Sequence, residues 1–497
     1  MSDADKPAAD DKKNREREQV DKRLAQSAVT STGSVTLADG RRLDYQVCCE
    51  YLAVTHGGVG AERGEPQAAI FTTAYTLSGA DAGSRPLCFA FNGGPGSSSV
   101  WLHLGALGPK RVVVPSDGTM PAPPYAVSDN PLTWLAHFDL VFIDPPHTGW
   151  SIAAGDEARK KLFSVDGDVA SLTEVMRAWL TRHKRWGSKV YLAGESYGTT
   201  RGAALADALQ NANVALAGLI LVSCAMDLQS LVFAPRNDLP YALFLPAFAG
   251  VAQFHGKLKG ALAASPQAAR GAAEAFVADD YLRALNAGAR LSSSQRRHVA
   301  KRLAELTGLS PTLVEEKNLR ISDHTFFFEL LRDSGRMVGR LDARATGPMA
   351  ASRTRDWEFD PGIEAIAAPY GMAALAYFGE QLGLATEERY ELLSLEVNKG
   401  WNWNRGEAKG NAFASTSDDL ARALRRNTHL RVLVASGRYD LGTPYSASDW
   451  SLSQLDAPAN ELARVEHHYY DAGHMMYTRE DDLVKLERDL SAWIAAT

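Results

Sequence analysis

The sequence predicts an α/β architecture: a mostly parallel central sheet flanked by helices, with a largely helical block inserted before the last strands. Three observations carry that expectation. Short apolar runs alternate with segments of helical period, one of these runs leads straight into Gly194-Glu-Ser196-Tyr-Gly198, and between Val222 and Leu430 the alternation gives way to Ala-rich amphipathic stretches. Alternating strand and helix signals indicate parallel strands, because a parallel connection needs a crossover long enough to hold a helix.

In chain order, Met1 to Gln26 is dense in Asp, Lys, Arg and Glu and has no apolar h-region. It is not a secretory signal as written, and residues 1–30 are expected to form a disordered, solvated arm. Arg42 to Thr55 and Gln67 to Leu77 mix β-branched, aromatic and polar residues, and they read as an antiparallel hairpin around Gly57 to Glu65 at a sheet edge. The core strands follow as Pro86 to Phe91, Phe138 to Ile143, Lys189 to Ala193, Leu216 to Val222, Leu430 to Ala435 and Val465 to Tyr470. Between them Ser164 to Trp186 has helical spacing behind a capping serine, and Asp481 to Ala495 is the closing helix.

This reading divides the chain into a core over 31–228 and 416–497 and an insertion over 229–415, with Ser265 to Val277 and Ser293 to Leu306 among its helices. A block placed between two core strands cannot continue the sheet, so it is expected to fold over one end as a lid. Asn237 to Tyr241 and Ala242 to Phe248 open the insertion directly after a core strand. They are therefore expected to face the cleft.

Composition narrows the function. The 53 basic and 59 acidic residues give a net charge of −6, without the basic excess that a nucleic-acid footprint needs. No apolar run approaches the roughly 20 residues of a membrane-spanning helix. The four cysteines, Cys48, Cys49, Cys88 and Cys224, outline no disulfide framework. Together with the missing signal they favour a cytoplasmic home, although a mature secreted or periplasmic form with an added Met1 would read the same.

The chemistry is concentrated at Gly194-Glu-Ser196-Tyr-Gly198. The strand before it and the helix-compatible Thr199 to Gln210 after it make this a nucleophile elbow. Glycines allow the tight strand-to-helix turn, and the serine is lifted above the sheet in a strained conformation. A serine hydroxyl needs a base and an orienting carboxylate. Asp440 follows the strand Leu430 to Ala435, and His474 lies between the last strand and the last helix. These positions and the order Ser, Asp, His predict the α/β-hydrolase fold, with Ser196 as nucleophile, His474 as base and Asp440 as its orienter. Asp471 is a rival orienter but lies too near His474 in sequence, while His467 and His468 sit within a strand and read as packing or surface residues. The loop Asn92-Gly-Gly-Pro-Gly-Ser-Ser-Ser99 follows another strand and suits an oxyanion hole.

No metal set has ligand spacing, and Gly57-Gly-Val-Gly60 lacks the third glycine and strand–helix setting of a dinucleotide loop. No cofactor is expected. Trp401-Asn-Trp-Asn404 reads either as cleft lining or as packing anchors.

Asn92 to Ser99, Asp144-Pro-Pro-His-Thr-Gly-Trp-Ser151, Gly194 to Gly198, the segment around Asp440 and Gly473-His474-Met475 together resemble the serine carboxypeptidase family (peptidase family S10), in particular its bacterial members. The resemblance runs from about Arg85 to the C-terminus. It implies hydrolysis of peptides with a free C-terminus by the triad already named, with the backbone N–H groups of Gly94 and Tyr197 as the oxyanion hole. It also implies that Asn92, the Gly93 backbone and a protonated Glu195 hold the terminal carboxylate of the substrate.

The sequence departs from the family at three places: the second recognition glutamate falls on Ala106, a tryptophan on Ala90 and a disulfide cysteine on Ser97. Without a second carboxyl, only burial can raise the pKa of Glu195, so it is expected to be a weak donor near neutral pH with a KM that changes little between about pH 6 and 8. An esterase or acyltransferase using the same acyl-enzyme is the alternative function, and a catalytically silent binding protein is a more distant one.

Overall fold

The computed structural model describes residues 5–55, 64–405 and 413–496. Ten strands make one sheet: β1 (Val29–Thr36), β2 (Arg42–Val54), β3 (Ala68–Leu77), β4 (Leu87–Phe91), β5 (Asp139–Ile143), the two-residue β6 (Ile152–Ala153), β7 (Val190–Glu195), β8 (Leu216–Val222), β9 (Arg431–Gly437) and β10 (Val465–Tyr470). Their order is β1-β2-β3-β5-β4-β7-β8-β9-β10, with β6 beside β3. The pairs from β5 to β10 are parallel, and those among β1, β2, β3 and β5 are antiparallel. This is the α/β-hydrolase architecture, and every core strand expected from the apolar runs is present.

The sheet is covered on both faces, and alternate residues of each strand divide between them. Cys88, Ala90, Leu140, Phe142, Tyr191 and Ala193 enter one apolar cluster, while Leu87, Phe89, Phe91, Val141, Ile143 and Leu192 enter the other. The helices on the sheet are α1 (Asp5–Leu24), α2 (Val165–Arg182) and α3 (Tyr197–Asn211), and after the insertion Ser417–Arg426 and the closing helix Glu480–Ala495. Ser164 caps α2 by accepting from the Gly167 amide at 3.1 Å, as the sequence predicts.

Two expectations about the first 80 residues are corrected. The expected disordered arm is in large part α1, packed against β2, β3 and β6. Its Val20 is fully buried, Glu16 pairs with Arg159 at 2.8 Å, Arg17 with Glu65 at 2.7 Å, and Arg23 with Glu388. Its charge was read as solvation, yet its partners sit on segments remote in sequence. Likewise the hairpin of β2 and β3 is present, but β1 forms the sheet edge; Val29-Thr-Ser-Thr-Gly-Ser-Val-Thr36 has no apolar run and gains its strand form by pairing with β2. Gly57 to Gly60 lies outside the described residues.

The insertion falls into two parts. Helices Leu245–Phe254, Pro266–Phe276 and Ser293–Thr307 build a third apolar cluster, whereas Tyr370, Tyr377, Phe378 and Tyr390 join a cluster on the sheet itself. The expectation that Ala242 to Phe248 faces the cleft is corrected. Ala242, Phe244, Leu245, Ala247 and Phe248 are buried, and Phe248 stacks on Phe326 with centroids 4.2 Å apart. Asn237 donates to the Gln229 and Val232 carbonyls, and Tyr241 lies edge-on to Phe233. The run is apolar because it is the core of the insertion.

Candidate active site

Ser196 stands between β7 and α3 with φ 60° and ψ −128°, a strained backbone for a residue with a side chain. Its surroundings require the glycines. A Cβ on Gly194 would lie 2.2 Å from the Gly198 carbonyl oxygen, and one on Gly93 would lie 2.4 Å from the Tyr197 nitrogen. The Asn92 to Ser99 loop thus approaches the start of α3 closely enough to set Gly93 against the Tyr197 amide. Tyr197 is the first residue of α3, where a helix leaves its N–H groups without intrahelical partners. Gly94 is beside it with φ +104°.

Asp440 lies three residues beyond β9 and is fully buried, and its Oδ2 accepts from His474 Nδ1 at 2.7 Å. The other contacts of the carboxylate come from the Gly442 and Thr443 amides at 2.7 and 3.0 Å and the Thr443 hydroxyl at 2.7 Å. Burial alone would raise the Asp440 pKa, but the attraction of His474 and these hydrogen bonds outweigh it and hold the group below the usual carboxylate range. Burial works against charge on His474 too, yet Asp440 and, more weakly, Glu195 raise its pKa above the ordinary histidine value. A donating Nδ1 leaves Nε2 as the basic nitrogen. Asp471 is exposed and its amide donates to Asp482, while His467 Nε2 hydrogen-bonds Ser436 and its Nδ1 lies 2.9 Å from Asp449.

The loops that carry Asp440 and His474 are both braced by the insertion, a role the sequence did not reveal. His474 N donates to the Leu341 carbonyl at 2.6 Å, Leu441 N to the Arg340 carbonyl at 2.9 Å, and Ala343 N to the Tyr439 carbonyl at 2.9 Å. Tyr439, Leu441 and Tyr445 enter the apolar cluster of the insertion. No motif marks residues 340–345, since their contribution is backbone.

Glu195 is buried, with Oε1 accepting from the Asn92 amide at 2.8 Å and Oε2 from the Tyr477 hydroxyl at 2.7 Å. Burial raises its pKa to about 7, against the lowering influence of His474 and the two hydrogen bonds. Burial is the one influence the sequence left to raise this pKa, and it is the largest of those acting on the group. Asn92 itself is fixed, its Oδ1 accepting from Leu102 N at 3.0 Å and its carbonyl from Arg201 at 2.6 Å.

Arg201 and Asp168 carry no motif in the sequence, while Asp144 belongs to a block of the family resemblance without a role assigned to it. Arg201 is buried, pairs with Asp168 at 2.7 Å and lies between the Phe91 and Tyr197 rings, 5.1 Å from each centroid. Asp144 accepts from the Ser99 amide and hydroxyl at 2.9 and 2.8 Å, tying the glycine-rich loop to β5. Ser97, at the family's cysteine position, accepts from Trp101 Nε1 at 2.9 Å. Trp401 is a buried anchor edge-on to Tyr197, and the more exposed Trp403 packs on the same ring.

Among the described residues one trio brings metal-ligand types together, Cys48, Glu50 and His183, with ligand atoms within 4.8 Å of one another. Glu50 is already engaged by His183 at 2.6 Å and by Arg182 at 2.5 Å, and the guanidinium supplies the positive charge that a cation would bring. No helix among the described residues is long and apolar enough to cross a membrane.

Residues 67–232 match the model of the serine carboxypeptidase family, a segment that contains the glycine-rich loop, Asp144 and Ser196 but neither Asp440 nor His474. Over 134 residues the chain is 31% identical to serine carboxypeptidase-like 33 of Arabidopsis thaliana, covering 26% of each. Over 136 residues it is 34% identical to the pheromone-processing carboxypeptidase KEX1 of Saccharomyces cerevisiae, covering 26% of this chain and 17% of that one. The matches span about a quarter or less of these relatives, which are plant and fungal rather than bacterial. The crystal structure of Kex1(delta)p, a prohormone-processing carboxypeptidase from Saccharomyces cerevisiae, superposes with a TM-score of 0.57 over 91% of both chains at 15% identity. That likeness establishes the shared fold.

Proposed function

We propose that the chain is a serine carboxypeptidase-like hydrolase that releases C-terminal residues from peptides through an acyl-enzyme. The observation that supports this most strongly is the enclosed Glu195–Asn92 pair beside His474, a buried carboxyl and amide that together offer donors to a substrate's terminal carboxylate when Glu195 is protonated. His474 Nε2 takes the proton of Ser196 Oγ as the oxygen attacks the scissile carbonyl, and the oxyanion accepts from the Gly94 and Tyr197 N–H groups. The imidazolium, stabilised by Asp440, then protonates the leaving amine. Water repeats the sequence on the acyl-enzyme. One Asn92 amide hydrogen serves Glu195, which leaves the other, together with the Gly93 N–H and the Glu195 proton, for the terminal carboxylate.

Comparing cleavage of peptides with free and amidated C-termini tests the reading. Strong preference for the free acid is expected, and equal rates would transfer the same triad to an esterase or acyltransferase. The pH dependence has a defined sign: as pH rises through about 7, Glu195 loses its proton, so KM for free acids rises while that for amides does not. Glu195→Gln, a permanent donor, flattens that profile.

A further inference from the structure

Glu195 is faced by two buried tyrosines, Tyr477 and Tyr370. Tyr477 belongs to the short turn Met476–Thr478 just after His474, is buried, and reaches Glu195 because residue 105 has no side chain. A Cβ on Gly105 would lie 2.4 Å from Tyr477 Cε2 and 2.8 Å from the Tyr370 hydroxyl oxygen. The two oxygens of Glu195 therefore have unlike neighbours, the Asn92 amide on Oε1 and the Tyr477 phenol on Oε2. An amide N–H can only donate, whereas a phenol can donate or accept, so a proton of the neutral acid is best accommodated on Oε2. The phenol can share that oxygen, donating to its remaining lone pair.

We propose that Tyr477 is a positioning residue for terminal-carboxylate recognition, its phenol holding Oε2 of Glu195 as the oxygen that presents the proton to the carboxylate of the leaving residue. This rests on the carboxypeptidase reading above. The titratable groups facing Glu195 are His474 and Asp440 from the triad loops, Tyr370 from the helix Pro361–Ala376, and Tyr477 itself. Of these, Tyr477 bonds the carboxyl directly, and a phenol O–H stabilises the ionised carboxylate more than the neutral acid. Its removal delays proton loss. A tyrosine that merely filled space would have no such effect.

Tyr477→Phe keeps the ring and removes the bond. The pH at which KM for free-acid peptides turns upward should move up by about one unit, and KM below that point should rise by about threefold as the carboxyl loses one restraint. Hydrolysis of an ester lacking a free carboxylate should be unchanged. A folded Tyr477→Phe enzyme with the parent's KM and turning point overturns the proposal. If the parent shows no preference for free acids, the carboxypeptidase reading fails by itself. The Glu195 proton is then followed directly by carboxyl NMR titration, where an upward shift in Tyr477→Phe supports the bond's role and an unmoved titration overturns it. Should that variant not fold, a fluorotyrosine at position 477, a stronger donor, must shift the titration downward, and no shift is again the overturning result.

Discussion

The candidate nucleophile and its two proposed partners are held in different ways. Ser196 is positioned by near neighbours in sequence, the close contacts of Gly194 and Gly198, and by two further segments, the loop at Gly93 and the Val222 carbonyl, which accepts from its amide at 2.9 Å. Asp440 and His474 sit on loops after β9 and β10 whose backbones bond to residues 340–345, far away in the chain and inside the insertion. A turn built from glycines can be read from its motif, whereas a brace made of carbonyls and amides carries no side-chain signature.

The comparison can be broken most sharply at the reacting groups. Ser196→Ala and His474→Ala should each lower turnover by on the order of 10⁴ or more, because triad members act as a unit; a purified serine variant keeping a tenth of the activity would place the nucleophile elsewhere. The brace should matter less, but measurably. A Cβ on Gly473 would lie 2.4 Å from the Leu341 carbonyl oxygen, so Gly473→Ala must displace the His474 loop, and kcat should fall by about 10²-fold. Rates within twofold of the parent would show that the insertion does not position the histidine.

The smallest effect on chemistry is expected within the insertion's own core. Phe248→Ala leaves a cavity beside Phe326 and should cost about 3–5 kcal/mol in denaturant unfolding. The ranking of peptide substrates should stay as it was, since the side chain faces the core. A changed ranking with little loss of stability would return this segment to the cleft.

The core strands, the capped α2 and the order of the site residues were all legible in the sequence, because apolar runs, a capping serine and a glycine-bounded serine report local requirements. The N-terminal helix was misread for the opposite reason. Its charges look like solvation until Glu16, Arg17 and Arg23 are seen against Arg159, Glu65 and Glu388. The apolar run Ala242 to Phe248 misled similarly: its position after a core strand suggested a cleft, but periodicity cannot distinguish a side chain aimed at a cavity from one aimed at a core.

By itself the sequence determined the α/β-hydrolase fold and the candidate nucleophile, because the alternation of strand and helix and the Gly194 to Gly198 turn are dictated by residues adjacent in the chain. Only the tertiary structure decided how completely Glu195 is enclosed. Ala106 suggested that its proton would be lost early, yet enclosure by Asn92, Tyr477 and the surrounding core raises its pKa to about 7. Desolvation is a property of everything that packs around a group, and most of what surrounds this carboxyl arrives from segments distant in sequence.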